Sequence, residues 1–94
     1  MKMWLKVMRG DKILRDLVYE GKEKLTFNGF REALQNATYA LDVSTPVLLR
    51  THFRHFEEFR RAKFTPSDFI EEVDFTALVA ELVPEEDKPS KAFR

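Results

Sequence analysis

The sequence predicts an α+β fold: an N-terminal β-hairpin, two consecutive helices, a short helical turn, and a C-terminal strand that completes a small sheet with the helices on one face. Three observations carry this. Apolar and polar side chains alternate on both sides of the Arg-Gly-Asp triplet at 9–11, as half-buried strands require. Residues 27–41 set apolar side chains three and four apart, as an amphipathic helix does. A lone hairpin is marginal in water and needs further strands, and the late segment 74–83 has the apolar content to supply one.

The hairpin comes first. Met3, Leu5 and Val7 fall on one side of the first strand; Lys2, Trp4, Lys6 and Met8 fall on the other. Gly10 takes positive φ cheaply, which suits a turn. A tight Gly10-Asp11 turn sets Lys6 opposite Arg15, a repulsive pair. A one-residue shift sets Lys6 opposite Asp16 and Lys2 opposite Glu20, so a looser, shifted hairpin is expected. The triplet itself reads as turn chemistry; a role as an integrin ligand needs an extracellular protein.

Thr26 and Asn28 are both good N-caps for a first helix that ends near Leu41. Its stripe of Phe27, Phe30, Leu34, Ala37 and Leu41, widened by Ala33 and Ala40, reads as core. Thr45 followed by Pro46 predicts the start of a second helix, because proline has no N–H to leave unpaired in the first turn. That helix is expected to run to about Phe59 or Arg61. Leu48, Leu49, His52, Phe53, Phe56 and Phe59 share one side, with Arg50, Arg54, Glu57 and Arg61 opposite and His55 and Glu58 on the flank. Thr65-Pro66 repeats the start signal for a helical turn over 66–71, with Phe69 and Ile70 inward. Residues 74–83 fit a helix or a strand by pattern alone; the sheet's need for partners favours strand, with a short one near 62–64. The expected core is Met3, Leu5, Val7, Leu17, Phe30, Leu34, Leu41, Leu49, Phe56, Phe59 and Leu78. Residues 1–83 make one domain, and 84–94 read as a flexible charged tail.

The chain is 44% hydrophobic and 34% charged, with nine phenylalanines, which excludes wholesale disorder. It has no cysteine, so disulfides, thiolate chemistry and the usual zinc sites are out of reach. The opening residues do not read as a signal peptide, and no apolar run approaches the ~20 residues of a membrane span. A cytoplasmic protein is expected. The net charge of zero hides a segregation: residues 1–63 carry 13 basic against 8 acidic side chains, whereas 64–87 carry 8 acidic and no basic ones.

The stretches MKMWLKVMRGDKILRD, ALDVSTPVLL and RRAKFTPSDFIEEVDF resemble a family of small cytoplasmic proteins of clostridial-type bacteria that has no assigned activity. The resemblance spans the chain to about Leu82. It implies a single small domain and supplies no catalytic residues.

Chemistry-bearing groups are sparse. His52, His55 and Glu58 lie at three-residue steps and fan across a third of the helix, with no fourth ligand, so a packed histidine is the better reading than a metal. Glu71, Glu72 and Asp74 fit a solvated acidic face better than a cation site. No nucleophile sits in a recognisable motif, His55 and Glu58 read as a surface side-chain contact rather than an acid–base pair, and no cofactor is expected. The candidate binding residues are therefore Arg50, Arg54, His55, Arg61 and Trp4. The first four line a basic strip, with Arg54–Glu58 and Glu57–Arg61 read as i,i+4 helix pairs. Trp4 and Met8 occupy the sheet face away from the helices, where exposed apolar surface marks a contact. The expected function is a non-enzymatic interaction module that binds a protein partner or a second copy of itself as a homodimer. Nucleic-acid binding through the basic surface of residues 50–63 is the alternative, weakened by Glu57 and Glu58 and by phenylalanines that face the core.

Overall fold

The computed structural model describes residues 1–84; the charged segment beyond lies outside the described residues. The elements are β1 (Lys2–Arg9), β2 (Lys12–Glu20), α1 (Phe27–Leu41), α2 (Arg50–Phe59), β3 (Arg61–Phe64), a 3-10 turn (Pro66–Asp68) and β4 (Ala77–Leu82). The strands form one antiparallel sheet in the order β2-β1-β4-β3, so β4 inserts between the hairpin and β3. Residues 77–82 are a strand, as the hairpin's need for partners requires.

The hairpin keeps the expected charge pairing by a different route. Lys2 opposes Glu20 and Lys6 opposes Asp16, yet Arg9 already pairs with Lys12, so the Gly10-Asp11 turn is tight. Gly10 takes φ +62°. The register slips further along, between Val7 and Met8, where Leu14 opposes no residue of its own: a β-bulge.

Met3, Leu5 and Val7 of β1, Ala62 and Phe64 of β3, and Leu78 and Ala80 of β4 point to one face and are buried there. Helix α1 adds Phe30, Ala33, Leu34, Ala37 and Leu41; α2 adds Phe56. The Phe30 and Phe56 rings stack at 4.0 Å and 11°, which joins the two helices over the sheet. Thr26 caps α1, accepting from the Gly29 N–H at 3.0 Å. Leu17 is only partly buried at the rim.

Helix α2 starts later than the Thr45-Pro46 pair predicts. Residues 43–49 cross the molecule without helical structure, and Leu49 is the N-cap. Tertiary partners take the groups that would have capped a helix at Thr45. Its hydroxyl meets that of the buried Thr38 at 2.5 Å, Pro46 is buried, and the Val47 N–H donates to the Asp68 carbonyl at 2.8 Å. The true start is stabilised by His52, whose Nδ1 accepts from the Leu49 N–H at 2.9 Å. This is the role Glu or Gln plays in a capping box.

The later start rewrites the predicted inner face of α2. Leu49, outside the helix, is 52% exposed, and Phe59, in the last turn beside the left-handed Arg60 (φ 63°), is 64% exposed. Neither belongs to the core. The helical turn after Thr65 is also shorter than the predicted 66–71. It closes at Asp68, whose Oδ2 accepts from the Thr65 N–H at 2.8 Å. Phe69 then follows in extended backbone (φ −108°, ψ 142°), so Phe69 turns inward and Ile70 turns out to 90% exposure.

Candidate protein-contact face

Helices cover one face of the sheet. Alternation along the strands defines what the other face carries. Across it, from β2 to β3, one row reads Val18, Trp4, Glu81, Arg61, and the next reads Asp16, Lys6, Val79, Lys63. A third row sets Ile13 beside Met8 and Ala77. Val18 and Ile13 are about half exposed. This is the predicted Trp4/Met8 face, and its apolar side chains are interleaved with charge.

Trp4 is held from two directions. Its indole N–H donates to Asp16 Oδ2 at 2.8 Å, and the Lys6 ammonium lies 4.2 Å from the ring centroid. Lys6 also pairs with Glu81 at 3.3 Å, and its side chain is only 12% exposed. Its methylene stem therefore covers sheet surface while the ammonium is satisfied twice. The buried Val79, with only 4% exposure, shows how closely the neighbouring side chains close over this part of the face.

The sequence-predicted site residues do not form one site. Arg50, Arg54 and His55 are carried by α2, on the helix layer; the Arg50 guanidinium rests over the Phe27 ring at 5.1 Å, and His55 lies beside the Phe59 ring at 5.7 Å. Arg61, by contrast, is on β3 and belongs to the open sheet face. It stands two strands from Trp4, roughly 10 Å at ordinary strand spacing. The structure thus joins Arg61 to Trp4 and separates it from Arg50, Arg54 and His55. Arg61 is not in α2, so the expected helical pair with Glu57 does not exist. Among the described residues Arg54 and Glu58 make no ion pair, and none joins Arg50, Arg54 or Arg61 to the acidic side chains of residues 64–84; the ion pairs there include Lys6–Glu81 and His52–Asp68, the latter at 3.5 Å.

Lys6, Lys63, Val18 and Glu81 are the face residues that the sequence argument left out of the site. Lys6 was legible two positions from Trp4 on the same side of β1. Lys63, Val18 and Glu81 required the strand order.

A second polar cluster lies where β2 meets α1. The Tyr19 hydroxyl donates a short hydrogen bond to Glu23 Oε2, and the Asn36 amide donates to both at 3.1 and 3.3 Å. Burial, reinforced by the bond to Glu23, raises the Tyr19 phenol above its ordinary value. Burial also acts to raise the Glu23 carboxyl, but the hydrogen bonds from Tyr19, its own backbone N–H and Asn36 prevail and hold it below its ordinary value.

An open cleft of about 570 Å³ runs between Arg15, Asp42, Val43, Ser44 and residues 72–75. Arg15 is engaged there with the Leu41 carbonyl at 3.1 Å, and Ser44 donates to Glu71 at 2.9 Å. Among the described residues no three of His, Asp and Glu converge as ligands for a metal ion. No described helix is long and apolar enough to cross a membrane.

No family model, curated protein or solved structure matches this chain.

Proposed function

We propose that this chain is a small cytoplasmic, non-enzymatic interaction module that makes its contact through the open sheet face centred on Trp4. It would then belong with the small clostridial-type proteins it resembles. The observation that carries the reading is a preorganised tryptophan: Asp16 and Lys6 fix the ring on a face that no described helix covers, with half-exposed Val18 and Ile13 around it. Tryptophan, arginine and apolar neighbours ringed by charge are the composition of interface centres. Immobilising such a ring before binding reduces the entropy lost on contact.

The nucleic-acid alternative draws on a basic surface over residues 50–63. Arg61 and Lys63 face away from the helix layer that carries Arg50 and Arg54, so those cations do not share one phosphate-tracking groove.

The test is affinity capture with wild type and Trp4→Ala, beside retention on mixed-sequence DNA over a salt gradient. The reading expects protein capture or self-association that Trp4→Ala abolishes while the variant keeps its fold by circular dichroism. It is overturned by retention on DNA that falls steeply with salt and is lost in Arg54→Ala, or by contacts that survive Trp4→Ala unchanged.

A further inference from the structure

The two edges of the open face carry opposite charge. On β2 its acidic side chains are Asp16 and Glu20; on β3 its basic side chains are Arg61 and Lys63, and all four are exposed. Three strand intervals, about 14 Å, separate the two edges. Between them lie Trp4, Met8, Ala77 and Val79, with Lys6 paired to Glu81 inside the face. Lys2, opposite Glu20, is the remaining cation of the centre.

We infer that the partner of this face is a second copy of the chain, docked face to face about a twofold axis parallel to the strands. The inference rests on reading the open face as the contact surface. A rotation of that kind keeps each residue at its level along the strands and exchanges left for right. It lays β2 of one copy over β3 of the other, twice, as an isologous interface requires. In the register above, Asp16 comes over Lys63 of the second copy, and Glu20 comes near its Arg61. The Trp4 centre is enclosed between them. The strand directions of the two sheets remain aligned, the common arrangement for stacked sheets. A twofold axis perpendicular to the strands in the same plane instead lays each edge over its own copy, acid on acid and base on base, so the charges select between the two symmetric dockings. Four strands and about six residues per strand make a face on the order of 20 Å across. That is small for a specific interface, so the association is reversible and weakened by salt.

Two variants and their mixture test this. Arg61→Glu/Lys63→Glu makes both edges acidic, and Val18→Lys/Glu20→Lys makes the β2 edge basic without touching Asp16, which holds Trp4. Sedimentation velocity is expected to show wild type as a concentration-dependent dimer and each double variant with a dimer dissociation constant raised about tenfold or more. An equimolar mixture of the two variants is expected to regain dimer, because their edges are again complementary. Melting curves verify that both variants fold. The inference is overturned if the variants dimerise as well as wild type, if the mixture stays monomeric, or if wild type is monomeric at millimolar concentration. In that last case, capture of another protein that Trp4→Ala still abolishes leaves the interaction reading standing with a different partner. Loss of both ends that reading too.

Discussion

Trp4 and Asp16 are bonded diagonally across the hairpin: the indole N–H donates at 2.8 Å to a carboxylate whose direct cross-strand neighbour is Lys6. Diagonal neighbours on a sheet are within reach of long and aromatic side chains, and here the contact fixes which way the ring lies. The chain has a single tryptophan, so its fluorescence reports on the surroundings of this one ring. Asp16→Ala is expected to red-shift the emission and lower its anisotropy, with Asp16→Asn close to wild type. The loss of stability should be about 1 kcal/mol or less, as for one exposed hydrogen bond. An unchanged spectrum in Asp16→Ala contradicts the assignment.

His52 tests the unusual cap of α2. Its Nδ1 accepts from the Leu49 N–H, and the ring lies 4.5 Å from that of Phe64. His52→Ala should lower stability by about 1 kcal/mol or more, since a cap and a ring contact are both lost. His52→Gln keeps an acceptor at the same helical position and should recover part of the difference in urea denaturation. Equal losses in the two variants would show that the cap contributes nothing.

The boundary of the core is sharp enough to measure. Phe56→Ala removes a fully buried ring stacked on Phe30 and is expected to cost about 3–5 kcal/mol. Leu49→Ser, Phe59→Ser and Ile70→Ser alter side chains that are 52%, 64% and 90% exposed and should each stay within about 1 kcal/mol of wild type. Comparable losses at Phe59 and Phe56 would return Phe59 to the core.

Glycine at position 29 is set by its neighbours. A β-carbon there would lie 1.9 Å from the Lys24 carbonyl oxygen, which the bond from the Thr26 N–H to that same oxygen holds in place. Inside a helix, Gly→Ala ordinarily stabilises by about 1 kcal/mol. Here Gly29→Ala should instead destabilise by about 1–3 kcal/mol, the range for overpacking. A raised melting temperature would show that the turn before α1 yields.

The Tyr19–Glu23 pair predicts opposite pH limbs. A carboxyl held below its ordinary value makes the folded state bind fewer protons than the unfolded one, so the Glu23 contribution is present at neutral pH and lost as pH falls through and below the usual carboxylate range. A phenol held above its ordinary value gives the reverse: the Tyr19 contribution is present at neutral pH and lost as pH rises past about 10. In melting curves against pH, Glu23→Gln should flatten the acid limb and Tyr19→Phe the alkaline one. Unchanged limbs in both variants would refute the linkage.

Much of this architecture was legible because local and global preferences agree. Charges at Lys2, Lys6, Asp16 and Glu20 specify the hairpin register, and the three- and four-residue spacing from Phe27 to Leu41 marks α1 to the residue. What escaped was decided by distant partners. Thr45 and Pro46 carry a good local start signal, but Thr38 and Asp68, far along the chain or across a turn, claim that segment. The bulge at Leu14 reconciles a tight turn with the better charge pairing, which strand alternation by itself does not reveal. The site followed the same division: Trp4 was evident on β1, whereas the separation of Arg61 from Arg54 depends on α2 ending at Phe59 and the chain entering β3 two residues later.

The strand order also dictates when this molecule can exist. β4 is the last of the described strands to be synthesised and holds a central place, bonded to β1 on one side and to β3 on the other. Until the ribosome has released residues through Leu82, β3 has no partner and the hairpin has only itself, which is a marginal state in water. Met3, Leu5 and Val7 must meanwhile stay uncovered on the nascent chain or be shielded by a chaperone. Folding of this sheet is thereby deferred until β4 is available, and a polypeptide cut short before β4 is left as a substrate for quality control rather than as a smaller working domain.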